Sequence, residues 1–180
     1  MMFESLSIPD VKLIHHTHHK DERGGFMELF RQSEFIASCG NFIFLQDNLS
    51  YSHQGTLRGL HYQVEVPQGK LVQVISGSIF DVAVDLRRDS ATYGKWVGQQ
   101  LNSNSPTSLW IPPGFAHGFY VQSKAVTVLY KCTEYYRPEF ERIINWADPE
   151  LSISWPILGD IPLVLSDKDR QAPFITSVTR

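Results

Sequence analysis

Gly55-Thr-Leu-Arg-Gly-Leu-His61-Tyr-Gln63 is the stretch on which the reading of this chain turns. A second block, Pro112-Pro113-Gly114-Phe115-Ala116-His117, lies further along. A glycine followed after five residues by a histidine, then a later Pro-x-Gly-x-x-His, is a spacing that can gather imidazoles around a divalent ion. Two positions break the pattern. Gln63 stands where a second histidine belongs, and Lys70, separated from Gly77 by six residues, stands where a glutamate belongs. Three or four N or O ligands are needed to hold such an ion. An amide is a poor ligand and an ammonium repels a cation, so the pattern keeps the shape of a pocket and loses its metal. A lone imidazole opposite a lysine is instead equipment for proton transfer.

The two blocks resemble the cupin motifs, and the rest of the chain suits such a fold. Its dominant period is two. In Ser78–Leu86, Phe80, Val82, Val84 and Leu86 share one face and Asp81, Ala83 and Asp85 the other. Ser76-Gly77 reads as a hairpin turn between two such runs. Strands are expected near 12–16, 26–30, 41–49, 55–63, 70–76, 78–86, 96–101, 108–111, 117–122, 125–132 and 142–146. Gly24-Gly25, Pro67-Gln-Gly69, Pro112-Pro-Gly114 and Arg137-Pro138 punctuate them. Helix signals are weak: Ser33–Ser38 suffices for about one turn or slightly more. The expectation is all-β, a cupin-like jelly-roll β-barrel with short peripheral helices. One domain covers 1–180, with a core over about 10–150 and a proline-punctuated segment, 151–180, wrapping it.

Composition excludes several classes of function. The chain has 180 residues, 16 Lys plus Arg and 19 Asp plus Glu, for a formal charge of −3. It has no basic block, so nucleic acid is not an expected partner. Cys39 and Cys132 are isolated and lack CxxC spacing, which suits a reducing compartment. MMFESLSIPDVKLI has neither the basic nor the apolar region of a signal peptide. No apolar run approaches the roughly 18 residues that span a bilayer. A soluble, cytoplasmic protein without membrane contact is expected.

Parity groups the polar residues. Gln46, Asn48 and Ser50 share a face, as do Phe26, Glu28 and Phe30, and Tyr130, Cys132, Glu134 and Tyr136. His61 and Gln63 share another, with Arg58 opposite unless Gly59 makes a bulge. Polar side chains along one face of a strand imply that this face is wet or binds something polar. His15-His16-Thr17-His18-His19 tempts a metal reading, but alternation splits it between faces, and a solvated strand end is the simpler account.

From Asp21 to Asp169 the chain resembles the dTDP-4-dehydrorhamnose 3,5-epimerases. The residues that carry the resemblance begin with Asp21-Glu-Arg-Gly-Gly-Phe26-Met-Glu28, Gln46-Asp-Asn48-Leu-Ser50 and the opening stretch at Gly55–Gln63. They continue with Lys70-Leu-Val, Asp81-Val-Ala-Val-Asp-Leu-Arg87 and Trp110-Ile-Pro-Pro-Gly-Phe-Ala-His117-Gly-Phe. Tyr130-Lys-Cys-Thr-Glu-Tyr-Tyr136 and Leu165-Ser-Asp-Lys-Asp169 complete the set. The resemblance implies a metal-free, cofactor-free enzyme acting on a dTDP-sugar, usually a homodimer with exchanged N-terminal strands. It implies His61 as base, oriented by Asp169, Lys70 as the stabiliser of an enolate oxygen, and Tyr130 as the acid on the opposite face. It implies Arg23 and Arg58 on the pyrophosphate, and Gln46, Asn48, Phe26, Glu28 and Tyr136 at the nucleotide end. In the family Arg23, Phe26 and Glu28 typically reach the site from the partner subunit. His117 supports the pocket wall, Asp81 pairs structurally with Lys70 or His117, and Cys132 is a small core residue.

Three other readings compete. A single-site epimerase or other tailoring enzyme on a related nucleotide 4-ketohexose would share most of these residues. A non-catalytic sugar-nucleotide-binding barrel would not need the His61–Lys70–Asp169 set. A metal-dependent cupin oxygenase would use His61 and His117, against which Gln63 and Lys70 argue.

Overall fold

The computed structural model describes residues 1–105 and 107–178. In chain order the strands are β1 (Met2–Ser5), β2 (Lys12–His15), β3 (His18–Asp21), β4 (Gly24–Met27), β5 (Gln46–His53), β6 (Leu57–Gln63) and β7 (Lys70–Ser76). There follow β8 (Ser78–Asp85), β9 (Trp96–Asn102), β10 (Thr107–Ile111), β11 (Phe115–Val121), β12 (Ala125–Cys132) and β13 (Glu141–Ile143). The helices are short: α1 (Gln32–Cys39) between β4 and β5, and α2 (Asp167–Arg170) and α3 (Ile175–Val178) near the C-terminus.

The strands form two antiparallel sheets. One runs β1-β2-β10-β7-β12-β5, the other β13-β6-β11-β8-β9, and β3 pairs with β4 as a separate hairpin. The all-β, cupin-like expectation holds. The sheets are hydrogen-bonded separately, so the molecule is a two-sheet jelly roll rather than a closed barrel. The expected strands are present, with edges displaced by a few residues; β1 and β3 were not anticipated, and α1 extends the expected 33–38 by one residue at each end. β3 is exposed along its whole length and carries no alternation to read.

The alternation along β8 sets out the layers. Ala83 packs between the sheets with Val72, Leu109, Phe119 and Val128. Phe80, Val82 and Val84 point outward, where Leu60, Ala116, Ile144, Leu151 and Ile175 cover them. Each large apolar side chain buried this way is worth roughly 1.5–3 kcal/mol, which is why the five-stranded sheet needs a cover. The C-terminal segment supplies it and is pinned by polar anchors. The carboxylate of buried Asp148 accepts the N–H groups of Glu150, Leu151 and Ile175 at 2.8, 3.2 and 2.6 Å. Asn145 holds Ala172 and Pro173 through their carbonyls. The chain is thereby folded back so that α2 meets β6. On the other sheet, Phe35 of α1 packs with Ile14, Leu71 and Trp110.

β6 and β11 approach closely through a glycine pair. His61 lies opposite His117 and Arg58 opposite Phe119, so three steps on β6 match two on β11. The extra residue is a bulge at Gly59, whose φ is +120°. It returns Arg58 to the same cavity as His61, which strict alternation would forbid. A Cβ on Gly59 would lie 2.5 Å from Gly118 Cα, and one on Gly118 would lie 2.7 Å from the Arg58 carbonyl oxygen. Gly118→Ala should therefore lower the melting temperature, at a cost of about 1–3 kcal/mol. Gly159→Ala, where a Cβ meets nothing within 4 Å, is the control that should leave it unchanged. Equal thermal denaturation curves for the two variants would count against this close approach.

Candidate active site

At one end of the sandwich two adjoining cavities open between the sheets. The inner, about 110 Å³, is lined by Ser50, Arg58, His117 and Phe119 together with His61, Lys70 and Tyr130. The outer, about 290 Å³, shares those last three and extends past Gln46, Asn48, Gln63, Tyr136, Glu141 and Lys168. His61 rises from the five-stranded sheet, whereas Lys70 and Tyr130 come from the six-stranded one. The imidazole and the phenol thus stand on opposite walls.

His61 Nε2 donates to Asp169 Oδ1 at 2.5 Å. Donation from Nε2 leaves Nδ1 with the lone pair of a base. Asp169 is almost fully buried. Burial alone would raise its pKa, but hydrogen bonds from His61, Ser166 and the Gly59 N–H, with the His61 charge, hold it below the usual carboxylate value. Ser166 is the N-cap of α2: its hydroxyl accepts the Asp169 N–H at 3.2 Å and donates to Asp169 Oδ2 at 2.7 Å. The local helix start therefore aims the carboxylate at a strand 108 positions away in sequence.

Lys70 lies between the sheets, 8% exposed, with Nζ donating to the His61 carbonyl oxygen at 3.3 Å. Burial pulls its pKa below the ordinary ammonium value, while Cys132, Asp81 and Glu141 act the other way. His117 Nε2 faces both oxygens of buried Asp81, at 3.0 and 2.9 Å. Burial lowers the His117 pKa, Asp81 opposes this, and the charges of Lys70 and His61 add to the lowering. Of the two partners allowed for Asp81, His117 is the one it bonds. Burial raises the Tyr130 pKa, which keeps the phenol protonated and able to donate. Asn48 faces Tyr130 across the β5–β12 pairing. Arg58 is steadied by its Nε–H donating to Ser52 Oγ at 3.0 Å.

Three residues do not join this assembly within the chain. Arg23, Phe26 and Glu28 sit on or beside the β3–β4 hairpin and line neither cavity. Arg23 is 86% exposed and pairs with Asp21, Phe26 is exposed, and Glu28 pairs with Arg31. The histidine run disperses, and the solvated strand end expected for it holds only in part: His18 and His19 are exposed on the hairpin and His15 bonds Glu4, but His16 is buried and bonds Ser108. Among the described residues no three His, Cys, Asp or Glu side chains converge as a ligand set. Gln46 is committed to protein, its Oε1 accepting the Tyr136 N–H and its Nε2 donating to Asn48. The sequence reading did not single out Ser166, or the Glu141–Lys168 ion pair at 2.7 Å on the cavity wall. Lys168 lies inside the quoted Leu165–Asp169 motif, which was its one signal. Ser50, named by parity and in the quoted Gln46–Ser50 motif but given no role, has a buried hydroxyl without a hydrogen-bond partner among the described residues, in the inner cavity.

Residues 5–177 match the sequence profile of the dTDP-4-dehydrorhamnose 3,5-epimerases. The chain belongs to that family. It is 53% identical over 167 residues to the dTDP-4-dehydrorhamnose 3,5-epimerase of Pseudomonas aeruginosa, covering 92% of this chain and 91% of that one. The crystal structure of the Legionella pneumophila dTDP-6-deoxy-D-glucose-3,5-epimerase in complex with dTDP-4-keto-L-rhamnose superposes with a TM-score of 0.94. Its identity is 45%, over 97% of this chain and 93% of that chain. A 3'-monoepimerase from Streptomyces bikiniensis in complex with dTDP-quinovose is also similar, with a TM-score of 0.89 and 34% identity over 97% and 88% of the two chains. Among the described residues no helix is long and apolar enough to cross a membrane.

The buried imidazoles carry a pH dependence whose sign follows from their surroundings. His117 and His16 have folded pKa values lowered, first by burial, below the 6.5 of an exposed histidine. Below that value the unfolded chain takes up protons that the folded chain resists. The contribution is complete above about pH 6.5 and is lost as pH falls toward the folded pKa values. Melting temperature should decline from about pH 7 to pH 5, with a shallower slope in His117→Asn. A slope unchanged by that substitution would mean that His117 titrates freely.

Proposed function

We propose that the protein inverts C3 and C5 of dTDP-4-dehydro-6-deoxy-D-glucose, giving dTDP-4-dehydro-L-rhamnose in dTDP-L-rhamnose synthesis. The observation that carries this is the opposition of His61, backed by Asp169, to Tyr130 across one cavity that also holds the Lys70 ammonium. The 4-keto group acidifies the hydrogens on the adjoining carbons. His61 Nδ1 removes one of them, and Asp169 stabilises the imidazolium that results. Lys70 stabilises the enolate oxygen, most strongly where water is scarce. Tyr130 returns a proton to the opposite face, and its tyrosinate is then reprotonated. No redox cofactor or metal enters this proton balance.

At the nucleotide end Arg58 meets the diphosphate, Asn48 the nucleotide, and Tyr136 walls the nucleoside, with Gln46 holding both of the latter. Glu141 and Lys168 flank the Tyr136 phenol, whose pKa burial raises first and Glu141 next. Arg23, Phe26 and Glu28 complete the site of a second copy in a homodimer with exchanged hairpins. Support comes from the exposed β3–β4 hairpin and from Leu49, Tyr51 and Ile75, exposed apolar residues on β5 and β7 of the six-stranded sheet. Two unpaired cysteines suit the reducing cytoplasm. The resemblance to the monoepimerase keeps a single-site reading open at the level of fold. The higher identity to the Pseudomonas aeruginosa relative favours the double reaction.

In D2O the enzyme should place deuterium at both C3 and C5 and give the L-rhamno product, and His61→Ala should lose at least about 10²-fold in rate. Deuterium at one carbon after long incubation would select the single-site reading. No exchange with substrate bound would select a binding module. The exchanged-hairpin dimer makes its own prediction. Arg23→Ala and His61→Ala, each poorly active alone, should regain activity when denatured and refolded together, because a mixed dimer holds one intact site. Mixing without any gain, in a dimer of verified mixed composition, would remove the exchange.

A further inference from the structure

Gln63, which stands where a cupin motif has its second histidine, is nearly fully buried and makes three backbone contacts in one place. Its Nε2 donates to the carbonyl oxygens of Val66 at 2.9 Å and Tyr135 at 3.2 Å. Its Oε1 accepts the Arg137 N–H at 2.7 Å. Two more glutamines serve the same short segment. Gln68 Nε2 donates to the Glu134 carbonyl at 2.8 Å, and Gln46 Oε1 accepts the Tyr136 N–H at 2.8 Å. Four successive residues, 134 to 137, are thus tied by side-chain amides from β5, β6 and the β6–β7 loop. They lie beyond the end of β12, where no strand neighbour supplies these bonds. The segment itself is largely exposed, so its place rests on these directed bonds to the glutamine side chains, of which Gln63 is buried, more than on apolar packing of its own.

We propose that Gln63, with Gln46 and Gln68, is a positioning residue: the three amides clamp residues 134–137 so that Tyr136 is presented as the wall of the nucleotide end. The clamp acts on substrate affinity and leaves proton transfer to His61 and Tyr130. The chemistry selects glutamine at position 63. A carboxamide carries two donors and an acceptor on one flexible stem, whereas a neutral imidazole carries one donor and one acceptor. A histidine there could not serve Val66, Tyr135 and Arg137 together. The residue type that makes a poor metal ligand is therefore also the one that suits the clamp. The inference rests on Tyr136 standing at the nucleotide end, as proposed above.

The test is a double-mutant cycle read in KM and kcat with the dTDP-4-keto sugar, alongside dTDP affinity by calorimetry. Gln63→Leu is expected to raise KM and the dTDP Kd about tenfold and to keep kcat within about threefold. Tyr136→Ala should do the same. Because Gln63 acts through Tyr136, the double variant should bind no more weakly than Tyr136→Ala alone. Unchanged KM and dTDP affinity in Tyr136→Ala would remove the nucleotide-end role of Tyr136, and the inference with it. A normal Tyr136 effect with additive losses in the double variant would overturn the clamp alone. A fall in kcat at constant KM would overturn it too, by placing the effect on His61, two residues away on β6. If Gln63→Leu fails to fold, Gln68→Met removes only the bond to Glu134. It should raise KM about threefold at constant kcat, and an unchanged KM there would likewise overturn the clamp.

Discussion

An ammonium is unstable between two apolar sheets unless polar groups meet it, and Lys70 imposes that condition on everything around it. Its Nζ lies against the His61 carbonyl, with Asp81 and Glu141 acting electrostatically on it. The interior is therefore divided. One part of the sandwich is closed by Val72, Leu109, Phe119 and Val128, while the part around Lys70 stays open as cavities. His117 and Asp81, bonded to each other, occupy the border between the two. The buried ammonium thus lies at the end of the jelly roll where the two cavities open.

The second dependence is long-range. His61 bonds a carboxylate from outside its own sheet, where Asp81 is bonded to His117 and Glu141 to Lys168. Asp169 comes from a short helix whose position rests on the Ser166 cap, on the Asp148 and Asn145 anchors, and on the apolar cover over Leu60, Val82 and Val84. Covering the outer face and delivering the carboxylate are one structural act. The segment expected to wrap the surface thereby also carries the carboxylate that bonds His61.

Much of the site was legible because strand alternation converts spacing into direction. Gln46 and Asn48, His61 and Gln63, and Tyr130 and Cys132 all face inward as parity implies. That Gln63 and Lys70 are poor ligands for a divalent ion was readable from their chemistry alone. Arg58 was legible only conditionally, since its face depends on the bulge at Gly59. Glu141 and Lys168 were not legible, because no local period brings β13 and α2 to one wall.

The sequence by itself determined the all-β class, the inward set of polar residues and, through its resemblance, the family. These follow from period-two alternation and ligand chemistry, both local properties of the chain. Tertiary structure alone decided that the two sheets remain separately hydrogen-bonded, and that imidazole and phenol stand on opposite walls. It decided that Asp169 meets His61, and that Arg23, Phe26 and Glu28 lie apart from the cavity in their own chain. Each of these depends on how distant segments dock. Docking is set by shared burial and by the satisfaction of backbone groups across the whole molecule, which no window of sequence contains.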